Sequence, residues 1–360
     1  MPYSKTTKYL SRVFLLLLLA LGTTNFKYNL SEDLESYLEK LEKSDFSGVI
    51  LISHKDKIVH HQAYGMSDKK QNLTNQKNTV FDIGSVTKQF TGAGILKLEM
   101  EGKLSVEDKI STFFENVPGD KKDITIHQLL THSSGLVDVI GGDYEEISEI
   151  DFLNEVFKAE LSYPIGAQYQ YSNVGYSLLA LIIEKASKMK YEAYLNKTLF
   201  TPAQMSSTGY VMPNWQEKNI AKGYTKNKEH KRPNEENWGI DGPYLNLKGN
   251  GGLLSNAKDL LKWHRALLGN EILNDKAKKK YFERHIKEYP DGNSFYGYGW
   301  VVMPTPMNKT VIWHNGGNGI FFTDFWRFEE EDLAIVVLSN SHRGDNDDII
   351  AENISELILR

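Results

Sequence analysis

An α+β fold, with one antiparallel sheet built from both ends of the chain and a helical lobe inserted between them, is predicted by where two kinds of hydrophobic pattern fall. Runs that alternate apolar and polar residues occupy about 46–65 and 295–340, whereas about 85–270 is dominated by helical periodicity. Strands drawn from both ends pair most economically in one sheet, which leaves the helical middle packed against it and a cleft between the two parts. Of the 360 residues 40% are hydrophobic and 25% charged, enough apolar mass for a substantial core.

The elements follow in order. Lys5, Lys8 and Arg12 precede the apolar run Val13 to Gly22, and Ala20-Leu21-Gly22 puts small residues where a signal peptidase cuts. Residues 1–22 therefore read as a signal peptide of an exported (periplasmic or extracellular) protein, since ten apolar residues are short for an uncleaved membrane anchor. The folded domain is expected over 30–360. SEDLESYLEKLEKSD begins with Ser31 as a cap and sets Leu34, Tyr37, Leu38 and Leu41 on one helical face. FSGVILISHKDKIVHHQAYG reads as a hairpin with its tip at Lys55-Asp56-Lys57. Helices are expected from Gln89, Thr125, Val174 and Asn256, with another over EISEIDFLNEVFKA. Strands follow from Tyr296, Thr310, Phe321 and Leu333, and a last helix over Asp347 to Leu359. The polar stretch from Lys226 to Gly239 reads as a long surface loop.

Several function classes drop out. The 42 basic and 47 acidic residues are mixed, giving a net charge of -5 with no basic stripe, so nucleic acid is excluded as a partner. No cysteine means no disulfide, no thiolate nucleophile and no zinc–thiolate site. Adjacent His60 and His61 on a strand point to opposite faces, and no His-Glu-x-x-His pattern occurs, so zinc hydrolysis is not expected. A small-molecule or peptide substrate is the expected partner; oligomeric state is not encoded legibly.

Three segments can carry chemistry. In FDIGSVTKQF, Ser85 and Lys88 are one helical turn apart, so the amine shares a face with the hydroxyl while the positive end of the helix lies beside a developing oxyanion. Taken alone this pair also reads as a helix cap and a solvated charge; the small and apolar residues after Lys88 favour a buried lysine of lowered proton affinity. In QYQYSNVGYSLL, Tyr171, Ser172 and Asn173 precede a helix. A tyrosine near an ammonium can drop its pKa and shuttle a proton, and Asn173 can hold a carbonyl. In VIWHNGGNGIFF a strand ends on His314-Asn315-Gly316-Gly317, where glycines admit a substrate backbone and His314 offers a carboxylate ligand or proton carrier; taken alone it also reads as a β-turn with a satisfied histidine. His132 in LLTHSSGL reads as a buried hydrogen-bonding residue.

Together, Ser85-Val-Thr-Lys88, Tyr171-Ser172-Asn173 and His314-Asn315-Gly316 resemble, in order and separation, the three signatures of the penicillin-recognising serine hydrolases, in the class C β-lactamase-like branch. ITIHQLLTHSSGL, AKGY, GNGGLLSNAKDLLKW and YGYGW extend the resemblance over nearly all the chain after the first 22 residues. It implies a β-lactamase/transpeptidase-like fold and an acyl-enzyme on Ser85, with Lys88 and Tyr171 moving its proton and with no metal or organic cofactor. It further implies that the N–H groups of Ser85 and Gly317 hold the oxyanion and that Asn173, Asn315 and Gly316 line the substrate. Two departures stand out: His314, a weaker and pH-dependent cation, replaces the lysine that heads the third signature in class C β-lactamases, and TPAQM at Thr201 to Met205 replaces Pro-Leu-Gly-Met. The first shifts the expectation from β-lactams toward esters and D-amino-acid peptides; β-lactamase action and non-catalytic ligand sensing remain the alternatives.

Overall fold

The computed structural model describes residues 31–226 and 228–360; the predicted signal peptide lies outside the described residues. The chain enters through α1 (Glu32–Glu42), whose first turn is capped by Ser31 Oγ accepting from Leu34 N–H at 3.3 Å. A hairpin of β1 (Gly48–His54) and β2 (Lys57–Tyr64) follows. Its two-residue tip places Lys55 and Asp56 at φ 50° and 59°, the left-handed pair that matches the twist of tightly joined strands.

The far end of the chain supplies six more strands: β3 (Ile286–Lys287), β4 (Phe295–Tyr296), β5 (Val301–Pro304), β6 (Thr310–Gly317), β7 (Phe322–Phe328) and β8 (Leu333–Ser339). All join one antiparallel sheet of order β2-β1-β8-β7-β6-β5-β4-β3, so the two ends meet where β1 pairs with β8. Both faces of this centre are covered. Ala334, Val336 and Leu338 face the larger core with the middle of the chain, while Leu333, Ile335 and Val337 face a second core shared with α1. This alternation is the two-residue period of a strand buried on both sides. The outer layer is completed by α10 (Ile350–Leu359), which follows the short α9 (Asp345–Asp348).

The middle forms α2 (Thr87–Met100), α3 (Ile126–Leu130), α4 (Glu149–Lys158), α5 (Asn173–Ser187), α6 (Tyr191–Leu195), α7 (Ala257–Leu268) and α8 (Asp275–Phe282). The expected strand from Tyr296 is interrupted: Gly299, at φ 89°, lies so close to the backbone of Lys88 that a Cβ there would stand 2.6 Å from the Lys88 carbonyl oxygen. Nor is the stretch from Lys226 to Gly239 merely a surface loop. Lys228–Glu229 pairs with Tyr224–Thr225, and Arg232 is buried against Asp68, with its guanidinium 2.8 Å from the carboxylate. Among the described residues no helix is long and apolar enough to cross a membrane.

Candidate active site

The site begins at the turn between a short strand, Phe81–Asp82, and α2. Asp82 accepts from Gly84 N–H at 2.8 Å and is held by Asn318 Nδ2 at 3.1 Å, which tightens the chain into a 3-10 turn over Gly84–Val86. Gly84 takes φ 49°, and Gly316 at the end of β6 packs directly on this turn. A Cβ on Gly316 would overlap the Ile83 carbonyl and stand 2.5 Å from Ser85 N, so only glycine lets the strand end approach the serine backbone. From Val80 to Leu96 every residue but Ser85 is buried. The fold thus delivers one hydroxyl to the cleft from an otherwise sequestered segment.

Lys88 is fully buried, and its amine nitrogen has three neighbours: Ser85 Oγ at 3.1 Å, Asn173 Oδ1 at 2.7 Å and the Asn250 carbonyl at 2.7 Å. Burial lowers its pKa to about 7, against the opposing pull of Asp138 and Asp143. A neutral amine has two N–H bonds and one lone pair. Two of its neighbours are carbonyl oxygens that only accept, so both N–H bonds are taken and the lone pair is left for the Ser85 hydroxyl. Asn173 is itself fixed by Asp138, whose Oδ1 accepts from Asn173 N–H at 3.1 Å and from its amide at 2.9 Å.

Tyr171 completes this group: it lines the same cavity as Ser85, and its ring centroid stands 4.7 Å from Lys88 Nζ. The expected drop in its pKa is not found. Desolvation pushes the phenol up, the nearby Ser85 hydroxyl only partly opposes this, and Asp138 and Glu288 add to it, so the tyrosine is held neutral. His132 stands behind it, with ring centroids 4.2 Å apart; it is buried, and its Nδ1 accepts from Ser172 N–H at 3.0 Å. The imidazole thereby steadies both the tyrosine ring and the start of α5.

His314 corrects a second expectation, that of a pH-dependent cation. It is buried, and desolvation together with the Lys88 charge lowers its pKa to about 3. Its Nδ1 contacts the Asn315 carbonyl, which only accepts, so Nδ1 carries the proton and Nε2 accepts from the Tyr296 hydroxyl at 2.9 Å. Both nitrogens are occupied, and the ring is a neutral strut rather than a charge.

Ser85, Tyr171, His314, Asn315, Gly316 and Gly317 line one open cavity of about 750 Å³; Lys88 and Asn173 support it from beneath Ser85. Tyr144, Trp238 and Lys226 do not line it. Sequence reasoning missed Asn250 and Asp138. The signal for Asn250 was the glycine-rich GNGG turn, because a backbone carbonyl can be aimed at a buried amine only where the chain bends tightly. Asp138 lies in a loop without any pattern that would mark it. Among the described residues no group of three or more acidic or histidine side chains is arranged to hold a metal ion.

Comparison with known proteins shows the family. The family model described as Beta-lactamase matches residues 34–357. Penicillin-binding protein 4* of Bacillus subtilis is 29% identical over 330 residues, covering 87% of this chain and 72% of that protein. Protein flp of Staphylococcus aureus is 30% identical over 318 residues; it covers 83% of this chain, which spans 61% of the length of flp. Among solved structures, an octameric penicillin-binding protein homologue from Pyrococcus abyssi superposes with a TM-score of 0.75 at 28% identity, covering 91% of this chain and 77% of that one. A penicillin-binding protein from Bacillus halodurans shares the fold, with a TM-score of 0.75 at 24% identity and coverage of 89% and 98%. With the matched model extending over almost every described residue, the chain belongs to the beta-lactamase family, among its class C-like serine hydrolases.

Proposed function

We propose that this serine hydrolase is exported and acts through an acyl-enzyme on Ser85, cleaving an ester or an amide of a D-amino-acid peptide. The observation that carries the reading is the amine of Lys88, buried and poised near neutrality, with its two hydrogens on Asn173 and Asn250 and its lone pair toward Ser85 Oγ. Export is supported by the pattern of basic and apolar residues in 1–22.

In the first half-reaction Lys88 takes the Ser85 proton as Oγ bonds to the substrate carbonyl carbon, and the N–H groups of Ser85 and Gly317 stabilise the oxyanion. Collapse breaks the bond to the leaving oxygen or nitrogen. That atom takes a proton from the Tyr171 hydroxyl, which regains one from Lys88, so the neutral tyrosine acts as a relay rather than as a base. Water then attacks the acyl-enzyme, passing its proton through Tyr171 to Lys88. Ser85 leaves with that proton, releasing the carboxylic acid.

The Bacillus subtilis relative is named for penicillin binding, and a β-lactam would acylate Ser85 by the same step. Neutral His314 provides no cation for its carboxylate, which supports ranking esters and D-peptides first. The test is mass spectrometry of the purified protein after mixing with a fluorophosphonate, beside a Ser85→Ala control. A single phosphonyl adduct on Ser85 is expected. Folded protein that takes no adduct overturns the hydrolase reading in favour of ligand binding.

A further inference from the structure

Beside Ser85 and Tyr171 the cavity has a part that the chemistry above does not use, lined by Tyr169, Glu288, Tyr289 and Tyr296. Glu288 is partly buried at the β3–β4 turn, where its carboxylate accepts from Ser294. Among the described residues it forms no ion pair, and no lysine or arginine lines the cavity. Neighbouring Lys287 turns away, its amine 3.3 Å from the Pro290 carbonyl and over the ring of Phe295. The other carboxylate on the cavity wall, Asp348, is occupied by His342 at 2.9 Å. Burial pushes Glu288 up, the sign of a carboxylate that lacks a counter-charge.

An unpaired carboxylate among aromatic rings is a receptor for a cation. The rings present negative faces to a positively charged nitrogen, and the carboxylate supplies the opposite charge. The side of the reaction that would carry this nitrogen follows from the relay. Tyr169 and Tyr171 pack against the same His132 ring, with centroid distances of 5.7 and 4.2 Å, and line one cavity with Glu288. Tyr171 serves the leaving atom, so this part of the cavity lies on the leaving-group side. Resting on the acyl-enzyme reading, we propose that Glu288 and the surrounding rings form an ammonium subsite, and that the substrates are esters or amides whose leaving alcohol or amine bears a positively charged nitrogen.

Three thioesters sharing one acetyl group test this: acetylthiocholine, its uncharged 3,3-dimethylbutyl isostere, and the anionic S-acetyl-3-mercaptopropionate. Thiol release is read with Ellman's reagent, to which a protein without cysteine gives no background. The wild type is expected to favour the cationic over the uncharged thioester by about tenfold or more in kcat/KM, with the anionic one last. The cationic-to-uncharged ratio is expected to fall toward one in Glu288→Gln, to persist in Glu288→Asp, and to invert toward the anionic substrate in Glu288→Lys. Should the variants fold poorly, a decline of the wild-type ratio between about 0.1 and 1 M salt gives the same support. A wild-type ratio at or below one, or a ratio kept by a folded Glu288→Gln, overturns the subsite while turnover of the uncharged thioester leaves the acyl-enzyme reading intact. No turnover of any thioester, together with no phosphonate adduct on Ser85, overturns both.

Discussion

The amine nitrogen of Lys88 lies 2.7 Å from the main-chain carbonyl of Asn250, a group presented by a turn that only glycines can make. Gly249 and Gly252 stand at φ 85° and 75°, and a Cβ on Gly249 would come within 2.6 Å of Ala180 Cβ. The turn is further fixed by Thr91 Oγ1, which donates to the Gly249 carbonyl at 2.6 Å, and by Asn250 Nδ2, which donates to Ser177 Oγ and the Asn246 carbonyl at 2.9 Å each. Helices α2 and α5 thus jointly hold a backbone dipole against a buried amine.

The rate of Ser85 acylation should rise with pH through an apparent pKa near 7 and then level off. Only neutral Lys88 has a lone pair for the serine proton, and its pKa is lowered to about 7 by burial. His314, lowered to about 3, is already neutral throughout, and Tyr171 is raised, so neither imposes a second limb between pH 5 and 9. Fluorophosphonate labelling rates across that range check this. A flat profile would remove Lys88 from the role of base.

Asp138→Asn should move that limb to lower pH, by at most about one unit. The carboxylate of Asp138 favours the charged amine, so removing its charge makes Lys88 easier to deprotonate. Asparagine keeps an oxygen for the two Asn173 donors, so the geometry survives better than in Asp138→Ala. The same labelling profile reports it, and a shift to higher pH would contradict the electrostatic assignment.

Gly316→Ala should cost about 1–3 kcal/mol of stability and slow acylation on the order of 100-fold. The new methyl would meet backbone atoms of Ile83 and Ser85, which cannot rotate away as a side chain would. Relief requires β6 to withdraw from the nucleophile turn, taking the Gly317 N–H with it. Denaturant melts and labelling rates measure the two effects separately; an unaltered labelling rate would show that this close approach is dispensable.

How much of this was legible in the sequence depended on the range of the interaction. The hairpin of β1 and β2, the capped α1 and the strands near the C-terminus were readable because alternation and capping are local. Their union in one sheet followed from the chain order of those patterns, and Ser85 and Lys88 were found because one helical turn relates them. The break after Tyr296 was not readable, since it depends on Gly299 meeting Lys88 across more than two hundred residues. Charge states were misread for the same reason: His314 and Tyr171 owe theirs to desolvation by residues distant in the chain. Asp138 acts through Asn173, and a second-hand contact leaves no periodic trace.

The stability of the folded chain should record the same buried amine independently of any substrate. In the unfolded chain Lys88 titrates near its ordinary value of 10.5, and in the folded state at about 7. Below about pH 7 the amine is protonated in both states, and the full cost of holding the charge inside the protein opposes folding. Between these two values the unfolded state binds one proton more than the folded state, so unfolding free energy rises with pH, at about 1.4 kcal/mol per unit. Lys88→Met lacks this proton. The difference in unfolding free energy between wild type and Lys88→Met should therefore swing toward the wild type as pH is raised from 7 to 9, whatever its offset at pH 7. The carbonyl of Asn250 and Oδ1 of Asn173 lose their donor equally at every pH, so they contribute to the offset and not to the slope. Urea melts at pH 6, 7, 8 and 9 measure it, and parallel curves for the two proteins would mean that Lys88 keeps its ordinary proton affinity and that the base must be sought elsewhere.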